Sequence, residues 1–179
     1  FSSARPSYES IGSGGAIYIA SSRYSNITVQ DGATFTGNYA WTKGGAILMQ
    51  GSYAGSSSQF LALTRDVLFS GNMTGGTFTR HSDGSFSVEN GIANAIHMGG
   101  DQNVQLAASE GRQIRFNDPV TSSALSSSRE NIAFSINQYM DGDNPRTTGG
   151  TVIFSGELYQ GEDSHLVASR YNDFKGQTT

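Results

Sequence analysis

The chain has 179 residues, enough for one domain with its own core, and no cysteine, which removes disulfide frames and thiolate metal sites. Its 11 Lys and Arg against 15 Asp and Glu give a net charge of −4, so the basic footprint that nucleic acid or an anionic membrane requires is missing. Charged residues are only 15% of the chain and glycine reaches 23, a balance that suits a corner-rich all-β protein, and no amphipathic helical stretch or apolar run of transmembrane length occurs.

Residues 1–13, with Pro6 and scattered serines, show no strand period and read as a lead-in segment. From Gly14 a grammar begins. Gly14-Gly15-Ala16-Ile17-Tyr18-Ile19 is followed by the short runs Ile27-Thr28-Val29 and Ala33-Thr34-Phe35, separated by turn residues such as Asp31-Gly32, and the unit closes on Phe35-Thr36-Gly37-Asn38. Tyr39 to Lys43 connect to the next unit and hold the one tryptophan, Trp41. Packing over a corner is its expected place; an exposed contact residue is the alternative.

Gly44-Gly45-Ala46-Ile47-Leu48-Met49 then repeats the first element, and Phe69-Ser70-Gly71-Asn72 repeats Phe35 to Asn38 at an offset of 34. The same offset sets Ile27 and Val29 on Leu61 and Leu63, and Ala33 on Val67. Between them Gly51 to Gln59, which includes Tyr53, reads as a polar loop outside the core. An insertion follows over residues 73–92, where Gly75 to Arg80 and Ser85 to Val88 flank His81-Ser82-Asp83-Gly84 as a β-hairpin with Asp83-Gly84 at its turn.

Ala93-Asn94-Ala95-Ile96-His97-Met98 is a third, degenerate copy, continued by Val104/Leu106 and Ile114/Phe116 and ending in Asn117-Asp118-Pro119-Val120, where Asn117 is displaced from the Phe-x-x-Asn spacing. Serine-rich Thr121 to Glu130 reads as a loop. A fourth unit uses Ile132/Phe134/Ile136 and Val152 to Phe154 around a long loop from Gln138 to Gly149, and His165 to Tyr171 is a further strand candidate. Residues 14–159 form the repeat domain, and 160–179 its continuation or a poorly ordered tail.

A repeat of this length means stacked supersecondary units, because one unit cannot bury its apolar face alone. Three short strands and three turns per unit predict a right-handed parallel β-helix, a solenoid of about four coils with long loop insertions. Alternation places Ile17/Ile19, Ile47/Met49 and Ile96/Met98 inward and Ala16/Tyr18, Ala46/Leu48 and Ala95/His97 outward. Gly44, Gly45, Ile47, Phe35, Asn38, Phe69 and Asn72 are the structural repeat residues. Phe35 should touch Phe69, and Asn38 should sit beside Asn72, each amide bonding its own turn and its neighbour's amide. Both ends fall within this grammar, which predicts a piece of a longer solenoid whose open strand edges invite end-to-end self-association.

Chemistry finds little purchase. β-Helices also carry polysaccharide lyases and glycosidases, but Asp31, Asp66, Asp83, Glu89, Asp101, Glu110 and Asp118 stand singly, mostly in turns, where Asp is expected for its bonds to backbone. Asp141-Gly142-Asp143-Asn144 alternates oxygen ligands as a calcium loop does, yet lacks the downstream Glu; a plain turn fits better. His81, His97 and His165 have no zinc spacing and read as polar surface. No cofactor or metal is expected. An insertion on a rigid scaffold is where recognition resides, so Thr74 to Asn90 is the first candidate contact region, before Gly51 to Gln59, Thr121 to Glu130 and Met140 to Thr148. His81, Asp83, Phe86, Tyr53 and Trp41 are the candidate partner-binding residues.

The joint order of Gly-Gly-Ala-Ile (Gly14 to Ile17, Gly44 to Ile47) and Phe-x-x-Asn (Phe35 to Asn38, Phe69 to Asn72) resembles the chlamydial polymorphic membrane proteins, as do Ile114 to Val120 and Gly149 to Gly156. The resemblance implies an autotransporter passenger at the cell outer membrane, on the surface or secreted, continuous with the rest of its passenger and a barrel domain that this chain does not contain. It further implies an adhesin for a host cell-surface receptor or glycan, and a target of antibodies. A carbohydrate-active enzyme and a ligand-free spacer are the rival readings.

Overall fold

The computed structural model describes residues 12–20, 26–50, 57–99, 102–122, 132–154, 173–174 and 177–178, and these form strands and turns without helix. Coil one contributes β1 (Ile17–Ile19), β2 (Thr28–Val29) and β3 (Thr34–Thr36), and β4 (Tyr39–Ala40) leads onward. Coil two has β5 (Ile47–Gln50), β6 (Ser57–Ala62) and β7 (Val67–Ser70), and the insertion holds β8 (Met73–Thr74), β9 (Thr77–Arg80), β10 (Phe86–Glu89) and β11 (Ile92–Ala93). Coil three is β12 (Ile96–Gly99), β13 (Gln102–Ala108) and β14 (Gln113–Phe116). Coil four is β15 (Val120–Ser122), β16 (Ile132–Ile136) and β19 (Thr151–Phe154), interrupted by β17 (Gln138–Asp141) and β18 (Asn144–Thr147). β20 (Asp173–Phe174) and β21 (Gln177–Thr178) begin a fifth layer.

Three parallel sheets run the length of the stack, in the orders β1-β5-β12-β15, β2-β6-β13-β16-β20 and β3-β7-β14-β19-β21. This is the expected parallel β-helix: strands of one coil pair with the same strands of the next, and the core lies between the three sheets. Ile17 pairs with Ile47, and Ile47 with Ile96. Phe35 pairs with Phe69, Phe69 with Phe116 and Phe116 with Phe154, and their rings form one stack with centroids 4.7, 4.8 and 5.1 Å apart.

The Gly-Gly-Ala-Ile element has a backbone explanation. Gly44 takes φ +67, where a Cβ is disfavoured, and a Cβ on Gly45 would press into the Met73 amide at 2.7 Å and the Asn94 carbonyl of the next coil. The amides of Ala46 and Ile47 then both donate to the Ala95 carbonyl, as those of Ala16 and Ile17 do to Ala46. Two donors on one acceptor slip the alternation like a bulge. That slip corrects the outward assignment of Ala46 and Ala95: both are fully buried in the core cluster with Ile47 and Ile96.

The middle strand also departs from expectation. Val29 pairs with Phe60, an offset of 31 rather than 34, while Thr34 pairs with Leu68 at 34. The three additional residues sit at the corner after β6, where Asp31 gathers the backbone of the next coil. Its carboxylate accepts from the amides of Leu63 and Thr64 and from Thr64 Oγ1 at 2.9 Å. Partial burial alone would raise the Asp31 pKa, but the bonds from Thr64, Arg65 and Leu63 outweigh it and hold the carboxyl below its usual value. Asp31→Ala should lower unfolding stability by about 1–2 kcal/mol, read in a urea titration at neutral pH; a change within error would show that this corner is held by other contacts.

Asn72 is completely buried and its amide joins neighbouring coils: Oδ1 accepts from Asn38 Nδ2 at 2.8 Å, and Nδ2 donates to the Phe35 carbonyl and to Asp118 Oδ2. Its backbone partner therefore lies in the preceding coil and not in its own turn. Asp118, not Asn117, extends this ladder, accepting the amides of Gly71 and Asn72 at 2.8 and 2.9 Å, while Asn117 is exposed and donates to Ser70 Oγ. Removing one residue from the spacing turns Asn117 outward and brings the following carboxylate in.

Candidate interaction surface

The insertion leaves the scaffold at the corner after β7. β8 pairs in parallel with β4 and antiparallel with β11, so the ribbon is rooted in the coil before it projects. Gly75 and Gly76 at φ +66 and +74, with Asn90 at +56 on the opposite strand, kink it, and β9 and β10 continue as an antiparallel hairpin in which Phe86 lies opposite Arg80 and Val88 opposite Phe78. At the tip Gly84 takes φ +86, as the Asp83-Gly84 turn requires. Asp83 Oδ1 accepts from Ser85 Oγ and the Ser85 amide at 2.6 and 2.9 Å, and these bonds hold its carboxyl below the ordinary range. His81 is exposed, its Nε2 3.1 Å from Ser87 Oγ.

Opposite residues of an antiparallel pair share a face, so Phe78, Arg80, Phe86 and Val88 lie on one side of the ribbon. There Phe86 stacks on Phe78 at 5.4 Å, Phe78 on Tyr39 at 5.1 Å, and Trp41 meets Tyr39 edge-on at 6.5 Å. This row of rings crosses from coil one to the hairpin and stays wet: Trp41 is 51% exposed, Phe86 48% and Phe78 40%. Trp41 is thus a surface residue, which overturns its expected packing over a corner. Tyr39 and Phe78 were not among the candidate residues; the sequence signal was their position flanking Trp41 and Phe86. Tyr53 lies outside the described residues.

The other contact regions change character. Ser57 to Gln59 belong to strand β6, with Ser58 fully buried, and residues 51–56 lie outside the described residues. Thr121 and Ser122 belong to β15, which starts coil four at Val120; residues 123–130 are likewise outside. The expected loop after Gln138 is a hairpin, β17 with β18, folded back on the second sheet. The Met140 amide donates to Gln105 Oε1 and its carbonyl accepts from Gln59 Nε2, both at 2.9 Å. Asp141 to Asn144 close its turn and Asp141 pairs with Arg146 at 3.2 Å. The strand candidate at His165 to Tyr171 also falls outside.

His97 is not surface. It is only 8% exposed, its Nδ1 lies 2.8 Å from Thr121 Oγ1, and burial first and Lys43 second push its pKa down to about 4. Asp31, Asp66 and Asp118 each bind the backbone of an adjacent coil, so all three carboxylates are engaged in the stack. Among the described residues no group of three or more His, Cys, Asp or Glu is placed to hold a metal ion.

No family model and no solved structure matches the chain. It is similar to two outer membrane proteins of Chlamydia pneumoniae. The probable outer membrane protein pmp8 is 33% identical over 129 residues, 72% of this chain and 12% of the relative. The probable outer membrane protein pmp13 is 34% identical over 159 residues, 87% of this chain and 14% of the relative. The chain thus spans about an eighth of the length of these relatives. Its paired Gly-Gly-Ala-Ile and Phe-x-x-Asn elements, their stacking in a parallel β-helix and this similarity together place the chain in the polymorphic membrane protein family of chlamydial outer membrane proteins.

Proposed function

We propose that the chain is part of an autotransporter passenger at the outer membrane or cell surface, a stiff β-helix that displays loops and binds host cells through the β9–β10 ribbon. The observation that carries this reading is the row Trp41, Tyr39, Phe78 and Phe86, which leaves three large rings 40–51% exposed in one continuous line, two on the projecting hairpin and one on the adjoining segment of coil one. Aromatic side chains kept in water on a rigid support are the residue types that anchor interfaces. The relatives' names as outer membrane proteins support the location.

Replacing Thr77–Glu89 with a short glycine-containing turn, leaving β8 and β11 in place, should preserve the strand content and melting behaviour of the rod. Attachment of the purified chain to cultured host cells should fall at least about fivefold, as loss of one modest anchor predicts. Unchanged attachment would remove the ribbon from the host-binding surface.

A further inference from the structure

The ribbon has one edge that the chain uses only in part. Over β8 that edge is paired: Met73 N–H donates to the Asn38 carbonyl at 2.9 Å and Gly75 N–H to the Ala40 carbonyl at 3.1 Å. Beyond Gly75 the chain of coil one turns away at Trp41, and β9 has β10 as its single partner among the described residues. At the ribbon's far end His81 N–H donates to the Ser85 carbonyl. The alternation of an antiparallel ladder then points the amides and carbonyls of Thr77, Thr79 and His81 at β10, and those of Phe78 and Arg80 at the bare edge.

Natural edge strands are usually blocked by proline, lysine or a covering loop. β9, Thr77-Phe78-Thr79-Arg80, carries neither residue and is exposed throughout. On one face the space beside it is flanked by Phe78 and Tyr39, with Phe86 stacked behind Phe78 on β10, and on the other by the small polar Thr77 and Thr79. Arg80 has no ion-pair partner among the described residues.

We propose that the bare edge of β9 is a strand-addition site for an extended peptide segment of a protein partner. The added strand continues the line that β4 begins, pairs with the backbone of Phe78 and Arg80, lays apolar side chains over the aromatic row and turns a carboxylate to Arg80. A second copy paired edge to edge about a two-fold through Thr79 would set Phe78 opposite Arg80 and place no carboxylate opposite either guanidinium group. A glycan offers hydroxyls but not the paired amide and carbonyl that a strand presents at every second residue. This inference rests on the ribbon being the ligand-binding part of the chain.

The probe is a fluorescein-labelled eight-residue peptide that alternates valine and threonine and ends in two glutamates, titrated with the whole chain and followed by anisotropy. Saturable binding is expected. Arg80→Gln keeps the edge amide and drops the charge, and should weaken binding about fivefold; Arg80→Pro drops both and should weaken it about fiftyfold. N-methylation of alternate residues of the peptide removes its pairing while leaving the protein untouched, and should weaken binding about tenfold.

Absence of saturable binding, equal effects of the two Arg80 variants, or indifference to N-methylation would overturn the proposal. So would a dimer in sedimentation velocity that Arg80→Pro dissociates, or host attachment that glycan removal abolishes and Arg80→Pro leaves intact. If replacing the ribbon spares host attachment while the peptide results hold, the host-binding reading fails and the edge site stands. If the replacement abolishes attachment but the peptide never saturates, the edge site alone fails.

Discussion

Phe69→Ala should destabilise the chain by about 3–5 kcal/mol, the largest loss expected of any single truncation discussed. Phe69 is fully buried, its ring lies 4.7 Å from Phe35 and 4.8 Å from Phe116, and Phe60 meets it edge-on at 5.9 Å. Removing it opens a void in the middle of the ring stack, and the neighbours cannot close over it because strand pairing holds the coils apart. In a thermal melt the midpoint should drop by about 10 °C or more. Phe78→Ala removes an equally large ring from the same kind of stack, but from a surface where Phe78 is 40% exposed, and should shift the midpoint far less. Equal shifts would mean that the Phe69 stack is not the core of the rod.

The second large effect is on acid stability. His97 is held neutral by burial, with its folded pKa near 4 against an ordinary 6.5. Above pH 6.5 the group is neutral folded or unfolded and contributes no pH dependence. As pH falls from about 6.5 toward 4 the unfolded chain takes up the proton first, so stability drops, by about 3 kcal/mol in all, and then levels off for this group. Asp31 has a lowered pKa, so its contribution is present above its ordinary 3.8 and is lost below that value, outside the His97 window. Unfolding titrations at pH 7 and pH 4.5 should therefore differ for the native chain and much less for His97→Leu, which matches the buried Leu48 on the paired strand. The same pH dependence in both proteins would show that His97 is solvated.

These two residues also mark where the sequence was and was not legible. The Phe35–Phe69 and Ile17–Ile47 pairings could be read because each copy carries a short invariant pattern beside the strand, so register follows from local spacing. The middle sheet has no such marker. There Asp31 reaches across coils to the Leu63 and Thr64 amides, a contact that absorbs three extra residues and moves Val29 onto Phe60. Asn117 and Asp118 differ by one position, and the ladder takes whichever oxygen reaches the Gly71 and Asn72 amides. Asn137 went unread for a related reason. It is fully buried at φ +56 and bonds the Ala108 amide and the Gly150 carbonyl, and Phe134-Ser135-Ile136-Asn137 has the Phe-x-x-Asn spacing, but at the end of β16 in the second sheet and without the glycine that precedes Asn38 and Asn72.

His97 was misjudged because alternation tells which face a side chain takes and nothing about what covers that face. The ribbon was legible as a hairpin from Asp83-Gly84, but its aromatic row was not, since Tyr39 belongs to a different coil. Only the parallel pairing of β4 with β8 brings Tyr39 under Phe78.

The strand partners of the first sheet fall 30 residues apart from Ile17 to Ile47, 49 from Ile47 to Ile96 and 24 from Ile96 to Val120, yet each step is one strand spacing of about 4.8 Å. Height along the rod is therefore set by the number of coils, and added sequence goes into girth. Two such solenoids with the same number of coils would be equally long and differ only in the width and texture of their flanks.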